Sequence, residues 1–462
     1  MPVDGKGRAV WLLKPDSFAV STFPPLSLMA LAAWLRERGH AVRILDLGYP
    51  EDRDQLQALA DTDRPLLFGV TATTPEFSAA ARLVRALKAR HPHVPVVLGG
   101  VHVSALGPDA LAEAGAEFGV CGEGEETLTE LVAALQAGAD VAALSAIRGL
   151  VWKQGASFVV NPPRPVLDDV DTLPMPAWDL VPAERYISKP FGILQKRPRT
   201  GFVVTSRGCP FACTFCAHEM MGKTFRGRSA LRVVDEIEVL YRDYGVRELL
   251  IVEDNFTFDR GRAAAICEEI LRRGLDIAWR TPNGVRIDSL DAPLVALMKR
   301  SGCYLLGFGI ESADRDVLRR ARKPLDLDAV ARTVALVRQH GILTFGTFIL
   351  GWPGETRASV LETIRYAASL ELDIAHYGLY APYPGSHDFE EMRDRPGLRD
   401  WDRYLAFEAL PCSDLPPAEL KALLRRAYAD FYLRPARLRL YARMLGPAQL
   451  WAAARTLYHY VA

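Results

Sequence analysis

Three cysteines lie within eight residues of one another, at Cys209, Cys213 and Cys216. Thiolates are the usual protein ligands of iron–sulfur clusters, and a four-iron cluster normally takes four of them. Three local cysteines therefore leave one iron without a protein thiolate. An open metal position can hold a small molecule, as an open zinc position does in catalysis. The spacing thus predicts an iron–sulfur cluster with one open iron.

Two alternatives to this site stay open from the sequence. A fourth thiolate from Cys267, Cys303 or Cys412 would close the cluster. A structural zinc ion would instead combine the three cysteines with His218. However, the spacing departs from the paired C-x2-C of most zinc sites, and no second pair follows. Spacing and thiolate preference together favour an iron–sulfur cluster.

The composition is that of an ordinary globular chain, with 462 residues, 49% of them hydrophobic and 24% charged. Basic and acidic residues balance at 56 each, so charge gives no reason to expect nucleic acid as a partner. We find neither a secretory signal nor a window of eighteen uninterrupted apolar residues. Seven cysteines is an odd number, and without an export signal it favours metal binding over disulfides. These features predict a cytoplasmic protein.

The elements that position the cysteines predict an α/β fold. Strand-like and helix-like segments alternate over 1–145, which indicates a doubly wound, Rossmann-like parallel sheet. Residues 146–200 predict a hairpin turning at Gln154-Gly155, followed by a Pro- and Asp-rich linker. Six strand–helix units over 201–395 fit a partial barrel, and 396–462 is mostly helical. The six predicted strands are 202–206, 248–254, 277–284, 304–312, 343–351 and 375–383.

The segment SRGCPFACTFC resembles the signature of the radical S-adenosylmethionine (SAM) superfamily, with Phe215 before the last cysteine. The resemblance implies a [4Fe-4S] cluster on the three cysteines, whose open iron chelates the amino and carboxylate groups of SAM. It implies that one electron, from a reductant such as flavodoxin or ferredoxin, cleaves the sulfonium. The 5′-deoxyadenosyl radical then takes a hydrogen atom from the substrate. The implied fold is a partial (β/α)6 barrel, which agrees with the six units.

Later segments resemble further SAM-contacting positions of that superfamily. VEDNF stands at the second-strand position that meets the SAM amino group, in a form that resembles the acidic variant of cobalamin-binding members. GTFILGWPGE resembles the fifth-strand segment that packs on adenine, and YAPYPGS resembles a late barrel motif. From pattern alone, such acids could be exposed loop residues and such strands plain core. The residues assigned by resemblance are Phe215, Glu253, Asp254, Asn255, Arg286, Glu311, Ser312 and Gly351.

The N-terminal sheet resembles the cobalamin-binding domain that precedes many radical SAM enzymes, through VVLGGVHVSALGPDAL and FGVCGEGEETL. Glycines allow backbone to approach a large planar ligand. A nicotinamide cofactor is not expected, because the turn KPDSFAVSTFPP lacks a dinucleotide fingerprint. The loop ILDLGYPED has no histidine for cobalt, and His102 is expected to form a hydrogen bond instead. The residues that would line the corrin side are Gly99, Gly100, His102, Ser104, Gly122, Glu123 and Gly124.

Together the two cofactors imply C-methylation of an unactivated carbon through the radical and methylcobalamin. One alternative keeps both cofactors but cyclises, oxidises or rearranges its substrate, and another is a non-catalytic corrinoid or cluster carrier. The substrate is expected to be a small or lipid-like molecule. The basic amphipathic stretch 421–445 predicts either peripheral membrane contact or packing on the barrel. Candidate catalytic residues, with core packing as the alternative for the tyrosines, are Tyr380, Tyr383 and His387.

Overall fold

A computed structural model describes residues 8–16, 23–59, 65–187, 195–217, 222–446 and 449–450. The first half is a seven-stranded sheet in the order β2-β1-β3-β4-β5-β6-β7. Its strands are β1 (Val10–Lys14), β2 (Val42–Asp46), β3 (Leu67–Thr71), β4 (Val96–Gly99), β5 (Phe118–Val120), β6 (Leu150–Gln154) and β7 (Ser157–Val160). Its helices are α1 (Leu26–Glu37), α2 (Pro50–Gln57), α3 (Phe77–Arg90), α4 (Val101–Leu106), α5 (Pro108–Ala114), α6 (Gly124–Gln136) and α7 (Val141–Ala146).

The first five strands of this sheet run parallel, as predicted. Every residue of β1 is buried, because helices cover both faces of a parallel sheet. The chain order reverses between β1 and β3, and ligands of such sheets bind outside the carboxyl ends of the strands at this switch point. The predicted hairpin is present as β6 and β7, and it adds to β5 in antiparallel fashion. The sheet therefore continues beyond residue 145.

The second half is a six-stranded parallel sheet in the order β15-β14-β13-β12-β11-β8. These are the six strands that the sequence predicts, and a two-residue antiparallel pair, β9 with β10, flanks the cysteines. The strands are β8 (Thr200–Val203), β9 (Ser206–Arg207), β10 (Arg226–Gly227), β11 (Glu248–Ile251), β12 (Ala278–Val285), β13 (Cys303–Glu311), β14 (Leu343–Leu350) and β15 (Ile374–Leu379). The helices are α8 (Glu184–Ile187), α9 (Ala230–Arg242), α10 (Arg260–Arg272), α11 (Ala292–Arg300), α12 (Arg315–Arg320), α13 (Leu327–Gln339), α14 (Arg357–Ser369), α15 (His387–Met392), α16 (Pro417–Tyr432) and α17 (Pro435–Met444).

Side chains of the second sheet divide between two faces. On β14, Phe348 and Leu350 belong to the large core shared with the helices. Leu343 and Phe345 instead pack with Tyr304 in a small cluster on the other face. Because successive side chains of a strand point to opposite faces, this second face is the inner one, which we call the lumen of the partial barrel.

The C-terminal helices cover the edge of the second sheet. The hydroxyl of Tyr432 accepts from the backbone N–H of Ala375 and donates to its carbonyl, at 3.2 and 2.7 Å. These bonds occupy backbone groups that an edge strand would otherwise expose. Arg434 and Arg437 donate to the carbonyls of Ala368 and Leu370. The stretch 421–445 therefore packs on the barrel, as the second of its two interpretations predicts. Within the described part of the chain, no helix is both long enough and apolar enough to cross a membrane.

Candidate cofactor sites

A cavity of about 380 Å³ opens at the carboxyl ends of β1, β3, β4 and β5. Apolar side chains of the flanking helices α1 and α6, among them Leu28, Leu31 and Leu128, form one wall. Of the seven residues predicted to line the corrin side, six border this cavity: Gly99, Gly100, Ser104, Gly122, Glu123 and Gly124. The cavity is the place where a doubly wound sheet of this order binds a ligand.

Ser104 connects the two glycine segments at the mouth of the cavity. Its hydroxyl donates to the carbonyl of Gly100 at 3.0 Å and accepts from the N–H of Gly122 at 2.9 Å. Gly100 has a φ of +96°, and a Cβ on it would lie 2.6 Å from the carbonyl oxygen of Ala72. This glycine is therefore required by the approach of its own backbone to β3, before any ligand is considered.

His102 does not line the cavity, so that part of the prediction is wrong. Its ring is fully buried, stacked on Phe77 with centroids 4.0 Å apart, and it meets the edge of Trp401 at 4.7 Å. Nδ1 lies 3.2 Å from the hydroxyl of Thr74, which confirms the hydrogen-bonding interpretation. Burial, followed by the charge of Arg399, lowers the pKa of His102 to about 3. On a helix, residues two positions apart lie on nearly opposite faces, so Ser104 faces the cavity and His102 the core.

Four buried charges connect the cavity to the second sheet; we call them the Arg207 ion cluster. Glu123 Oε1 lies 3.2 Å from Arg207 and 2.9 Å from Arg226. Arg207 also binds Glu125 at 2.6 Å, and none of the four side chains is more than 15% exposed. Arg207 itself lines the cavity. Because Arg207 and Arg226 are paired across β9 and β10, the cluster joins the cavity wall to both ends of the segment that carries the cysteines.

The cysteine loop, residues 208–217, is fixed by its neighbours on the barrel. The N–H of Thr214 donates to the carbonyl of Ala321 at 3.1 Å. The carbonyl of Thr214 accepts from the backbone N–H of Asp388 at 3.0 Å. Phe215 packs edge-on against Trp352, with ring centroids 5.2 Å apart. The loop is therefore supported by the segments that follow β13, β14 and β15.

Opposing effects act on the cysteine thiols. Burial raises the pKa of Cys209 and of Cys213. The charge of Asp254 adds to the rise at Cys209, whereas Lys323 and Arg286 lower the pKa of Cys213. Two cations and one exposed carboxylate thus lie around the loop at the carboxyl ends of the strands.

The other candidate thiolates lie away from the loop. Cys267, Cys303 and Cys412 are at most 1% exposed. Cys303 begins β13 at the end of the strand opposite the loop, and the Cys412 thiol donates to the carbonyl of Tyr380 at 3.5 Å. None of the three can close the cluster as a fourth ligand. His218 of the zinc alternative lies outside the described residues, among which no group of three or more His, Cys, Asp and Glu side chains is placed to hold a metal ion.

The three candidates after β11 have different environments. Glu253 is buried, and its Oε2 accepts from both the N–H and the hydroxyl of Thr205, so it fixes the end of β8. Burial raises the pKa of this carboxyl. Asn255 accepts from the N–H of Arg286 at 3.4 Å, while its Nδ2 is buried without a partner. Asp254 alone is exposed.

Glu311 ends β13 in a left-handed backbone conformation, with a φ of +68°. Such strain in a non-glycine residue persists only where the surroundings enforce it, and it clusters at functional sites. Oε1 accepts from Lys323 at 2.6 Å. A Cβ on Gly309 would lie 2.5 Å from that oxygen and 2.6 Å from Nζ of Lys323. The pair therefore lies over a lumen position that glycine leaves open. Arg286 lies nearby, with its guanidinium 4.1 Å above the ring of Phe211.

Two residues assigned by resemblance are committed to packing. Ser312 is fully buried, and its hydroxyl bonds Thr363 at 3.2 Å and accepts from the N–H of Asp314 at 3.0 Å. Because β13 has ended, the side chain turns toward α14, and the SAM contact assigned to Ser312 by resemblance stays a prediction. Gly351 has a φ of +84°, and a Cβ on it would meet Leu420 at 2.7 Å. The left-handed backbone accounts for the glycine, and Leu420 of α16 packs against it.

The three predicted catalytic residues are not brought together in the lumen. Tyr380 is 3% exposed and donates to Asp388 at 2.6 Å. Tyr383 is partly buried beside Tyr404, with ring centroids 5.4 Å apart. Both tyrosines have partners within the protein, and their catalytic role stays a prediction. His387 is exposed, with Nδ1 3.5 Å from Glu391.

Comparison with known proteins identifies the architecture. Residues 203–367 match the radical SAM superfamily, and residues 19–132 match the B12 binding domain. An uncharacterized methyltransferase of Pyrococcus horikoshii is 35% identical over 93% of both chains. The chain belongs to the radical SAM superfamily, among members with a B12-binding domain. The anaerobic magnesium-protoporphyrin IX monomethyl ester cyclase of Rubrivivax gelatinosus is 30% identical over 83% of this chain and 68% of its own.

A solved radical SAM methyltransferase, TsrM from Kitasatospora setae with cobalamin and a [4Fe-4S] cluster bound, shares the fold. Its TM-score is 0.71 at 20% identity, over 96% of this chain and 90% of its own. The matched radical SAM and B12 binding domains give this enzyme a [4Fe-4S] cluster, SAM and cobalamin as cofactors. The residues fit these cofactors. Three thiols lie on one loop for the cluster, and a largely apolar cavity with glycines at its opening lies at the switch point for cobalamin.

The sequence does not predict a role for Arg207, Lys323 or His376, of which His376 lies on the lumen face of β15. Arg207 is part of the quoted signature, and its charge two residues before Cys209 is the signal that could have found it. His376 lies in a correctly predicted strand, but alternation cannot tell which of two buried faces is the lumen. Lys323 gives no sequence signal, because it reaches Glu311 only through the turn after α12.

Proposed function

We propose that this radical SAM enzyme is a C-methyltransferase that acts on an unactivated carbon. The observation that carries the proposal is the adjacency of two sites: Arg207 lines the cavity and lies two residues before Cys209. The Cα atoms of residues 207 and 209 are at most about 7 Å apart, so Arg207 connects the wall of the cavity directly to the loop that would hold the cluster. The methyltransferase relative, similar over nearly the whole chain, supports the same conclusion.

The residues of this chain divide the work by position. Cys209, Cys213 and Cys216 would hold the cluster, and Phe215 would fix the loop against Trp352. When bound, the cluster and SAM supply a 5′-deoxyadenosyl radical, and cobalamin carries the methyl group. The protein's part is to hold and orient these groups and to keep water from the radical.

Asp254 is proposed to receive the SAM amino group. It is the exposed acid of VEDNF and its charge acts on Cys209, whereas Glu253 is bound to Thr205. Arg286 and the Glu311–Lys323 pair are proposed to face the rest of SAM, since both lie at the carboxyl ends of neighbouring strands.

The cavity residues Gly99, Gly100, Ser104, Gly122 and Gly124 are proposed to contact cobalamin. Among the described residues the cavity is lined by glycine backbone, the Ser104 hydroxyl and apolar side chains such as Leu28 and Leu128, which would hold the corrin. Glu123 would act indirectly, because the Arg207 ion cluster occupies its carboxylate.

A second candidate is cyclisation or oxidation without methyl transfer, which the cyclase relative supports. Both reactions need a small-molecule substrate and a low-potential electron donor of the flavodoxin or ferredoxin type. They also suit the reducing cytoplasm, where we propose the enzyme works.

The products of SAM distinguish the two candidates. Anaerobic, cluster-reconstituted protein would be given cobalamin, SAM and a chemical reductant, and 5′-deoxyadenosine and S-adenosylhomocysteine would be quantified by mass spectrometry. Methyl transfer predicts both products in the same sample. Deoxyadenosine without S-adenosylhomocysteine would contradict the methyltransferase and favour the cyclase-like reaction.

A further inference from the structure

His376 lies on the lumen face of β15. Two residues earlier, Ile374 packs with the inner cluster, whereas Ala375 and Tyr377 pack in the outer core. Because side chains alternate along a strand, His376 shares the face of Ile374. The register places it beside Thr347 of β14, which in turn pairs with Gly309 of β13. One row of the lumen therefore runs from Gly309 through Thr347 to His376.

The backbone of Tyr377 determines the tautomer of His376. The Tyr428 hydroxyl accepts from the N–H of Tyr377 at 3.2 Å and donates to its carbonyl at 3.1 Å. The same oxygen lies 3.2 Å from Nδ1 of His376. A phenol has one proton to donate, so with that proton on the carbonyl it can only accept from the histidine. The arrangement that satisfies every group places the imidazole proton on Nδ1 and leaves Nε2 with its lone pair.

This lone pair is available within the lumen. Burial lowers the pKa of His376, which keeps the ring neutral near pH 7. Among the described residues none bonds Nε2, and the atom is not sealed from solvent as Nε2 of His102 is. The edge of the ring meets Phe407, with centroids 5.6 Å apart. An acceptor that is held in one orientation and open to solvent can exchange its bond to water for a bond to a donor of a bound molecule.

The row leads from this acceptor to the proposed SAM residues. Adjacent strands lie about 4.8 Å apart, so β15 and β13, which flank β14, are separated by about 10 Å along the wall of the lumen. The Glu311–Lys323 pair lies over Gly309 at the far end of the row. Thr347 is the side chain of the row between the two ends, and its hydroxyl donates to the carbonyl of Phe308 at 3.3 Å. A small molecule bound at His376 would therefore face the place proposed for SAM.

We propose that Nε2 of His376 accepts a hydrogen bond from a hydroxyl or N–H group of the methyl acceptor. The proposal deepens the proposed function and rests on it. It makes His376 a specificity-determining residue and selects acceptors that carry such a donor near the methylated carbon. A site built around a buried hydrogen bond rejects analogues that lack the donor, because its own polar group is then left unpaired.

The tautomer and the accessibility of His376 are measurable without knowing the acceptor. Long-range ¹H–¹⁵N NMR of histidine-labelled protein, assigned by the loss of one signal in His376→Gln, is expected to show the proton on Nδ1. Tyr428→Phe should release that preference. Diethyl pyrocarbonate, followed by peptide mass spectrometry, should acylate His376 and the exposed His387 but not His102. A proton on Nε2, or a His376 as unreactive as His102, would overturn the assignment.

The role in substrate binding is tested by label transfer. Loaded protein would receive SAM with a trideuterated methyl group and a small-molecule extract of the cells in which it is natively made. His376→Phe should keep deoxyadenosine formation but lower labelled product by about 10- to 100-fold, the cost of one unpaired buried group. His376→Gln should recover part of the loss, and His340→Phe, at the residue that follows α13, serves as the control. Equal amounts of labelled product from wild type and His376→Phe would overturn the role of His376 alone. If the wild-type protein forms no labelled product, the proposed function is overturned as well.

Discussion

Arg207 and Glu125 bind each other at 2.6 Å across the junction of the two sheets. Arg207 belongs to the strand that leads into the cysteine loop, and Glu125 belongs to the helix that walls the cavity. One ion pair thus joins the proposed cobalamin site to the proposed cluster site. A shift of one site relative to the other would break the buried ion pair between Arg207 and Glu125.

Loss of this connection should destabilise the protein. Arg207→Ala leaves Glu125 and Glu123 with less compensation in a buried setting, and removal of one partner of a buried pair costs about 3–5 kcal/mol. We expect the free energy of unfolding, from urea denaturation followed by tryptophan fluorescence, to fall by about that amount. Arg242→Ala is the control, because Arg242 is 62% exposed and its pair with Glu238 is a surface ion pair that contributes little to stability. Similar losses in both variants would contradict the role of the Arg207 ion cluster.

The cysteine loop and the cavity should load independently. Replacement of Cys209, Cys213 and Cys216 by Ala should abolish iron–sulfur absorbance after reconstitution and leave hydroxocobalamin binding unchanged, since no cysteine of the loop lines the cavity. Cys412→Ala should keep the cluster, because that thiol is buried beneath Tyr380. A four-iron cluster in the triple variant would refute the loop as its ligand set.

Filling the cavity should remove cobalamin specifically. Leu31 lines the cavity from α1, so Leu31→Trp places an indole in the space. We expect hydroxocobalamin affinity, measured by fluorescence quenching, to fall at least about tenfold, equivalent to about 1.4 kcal/mol. Leu231→Trp tests for a general effect of the added ring, because Leu231 is 58% exposed on α9. If Leu31→Trp binds as wild type does, the cofactor lies elsewhere.

Glu355 should make stability depend on pH. Burial raises its pKa from 4.5 to about 7, against the backbone N–H groups of Trp352 and Gly351 that lower it. The folded state then holds this proton more tightly than the unfolded chain, so stability falls as pH rises from about 4.5 to about 7. One carboxyl with this shift accounts for about 3 kcal/mol.

Glu355→Gln should abolish that part of the dependence, because an amide oxygen still accepts from both N–H groups and does not ionise. Denaturation at about pH 5 and about pH 8 measures the difference. Wild type should lose more stability than the variant between the two values. Parallel losses would show that Glu355 does not change its protonation in this range.

The sequence predicts the sheets well because their signals are local. Each of the six barrel strands is a short apolar run between helical segments, and the three cysteines are neighbours in the chain. His102 illustrates where prediction ends: motif resemblance placed it with Ser104, but the geometry of α4 turns the two side chains to opposite faces. The contacts of Ser312 and Tyr380 are not predictable from the sequence for a related reason. Their partners, Thr363 and Asp388, come from other segments and exist only once the chain has folded.

The adjacency of the two cofactor sites is tested most directly by electron paramagnetic resonance. Full-length protein would be loaded with cob(II)alamin and a reduced [4Fe-4S] cluster, first singly and then together. If the two sites are adjacent, we expect a dipolar interaction between the two spins that broadens both signals in the doubly loaded sample. A spectrum equal to the sum of the spectra of the two singly loaded samples would mean that the cofactors are far apart. That result would contradict the adjacency of the two sites on which the proposed function rests.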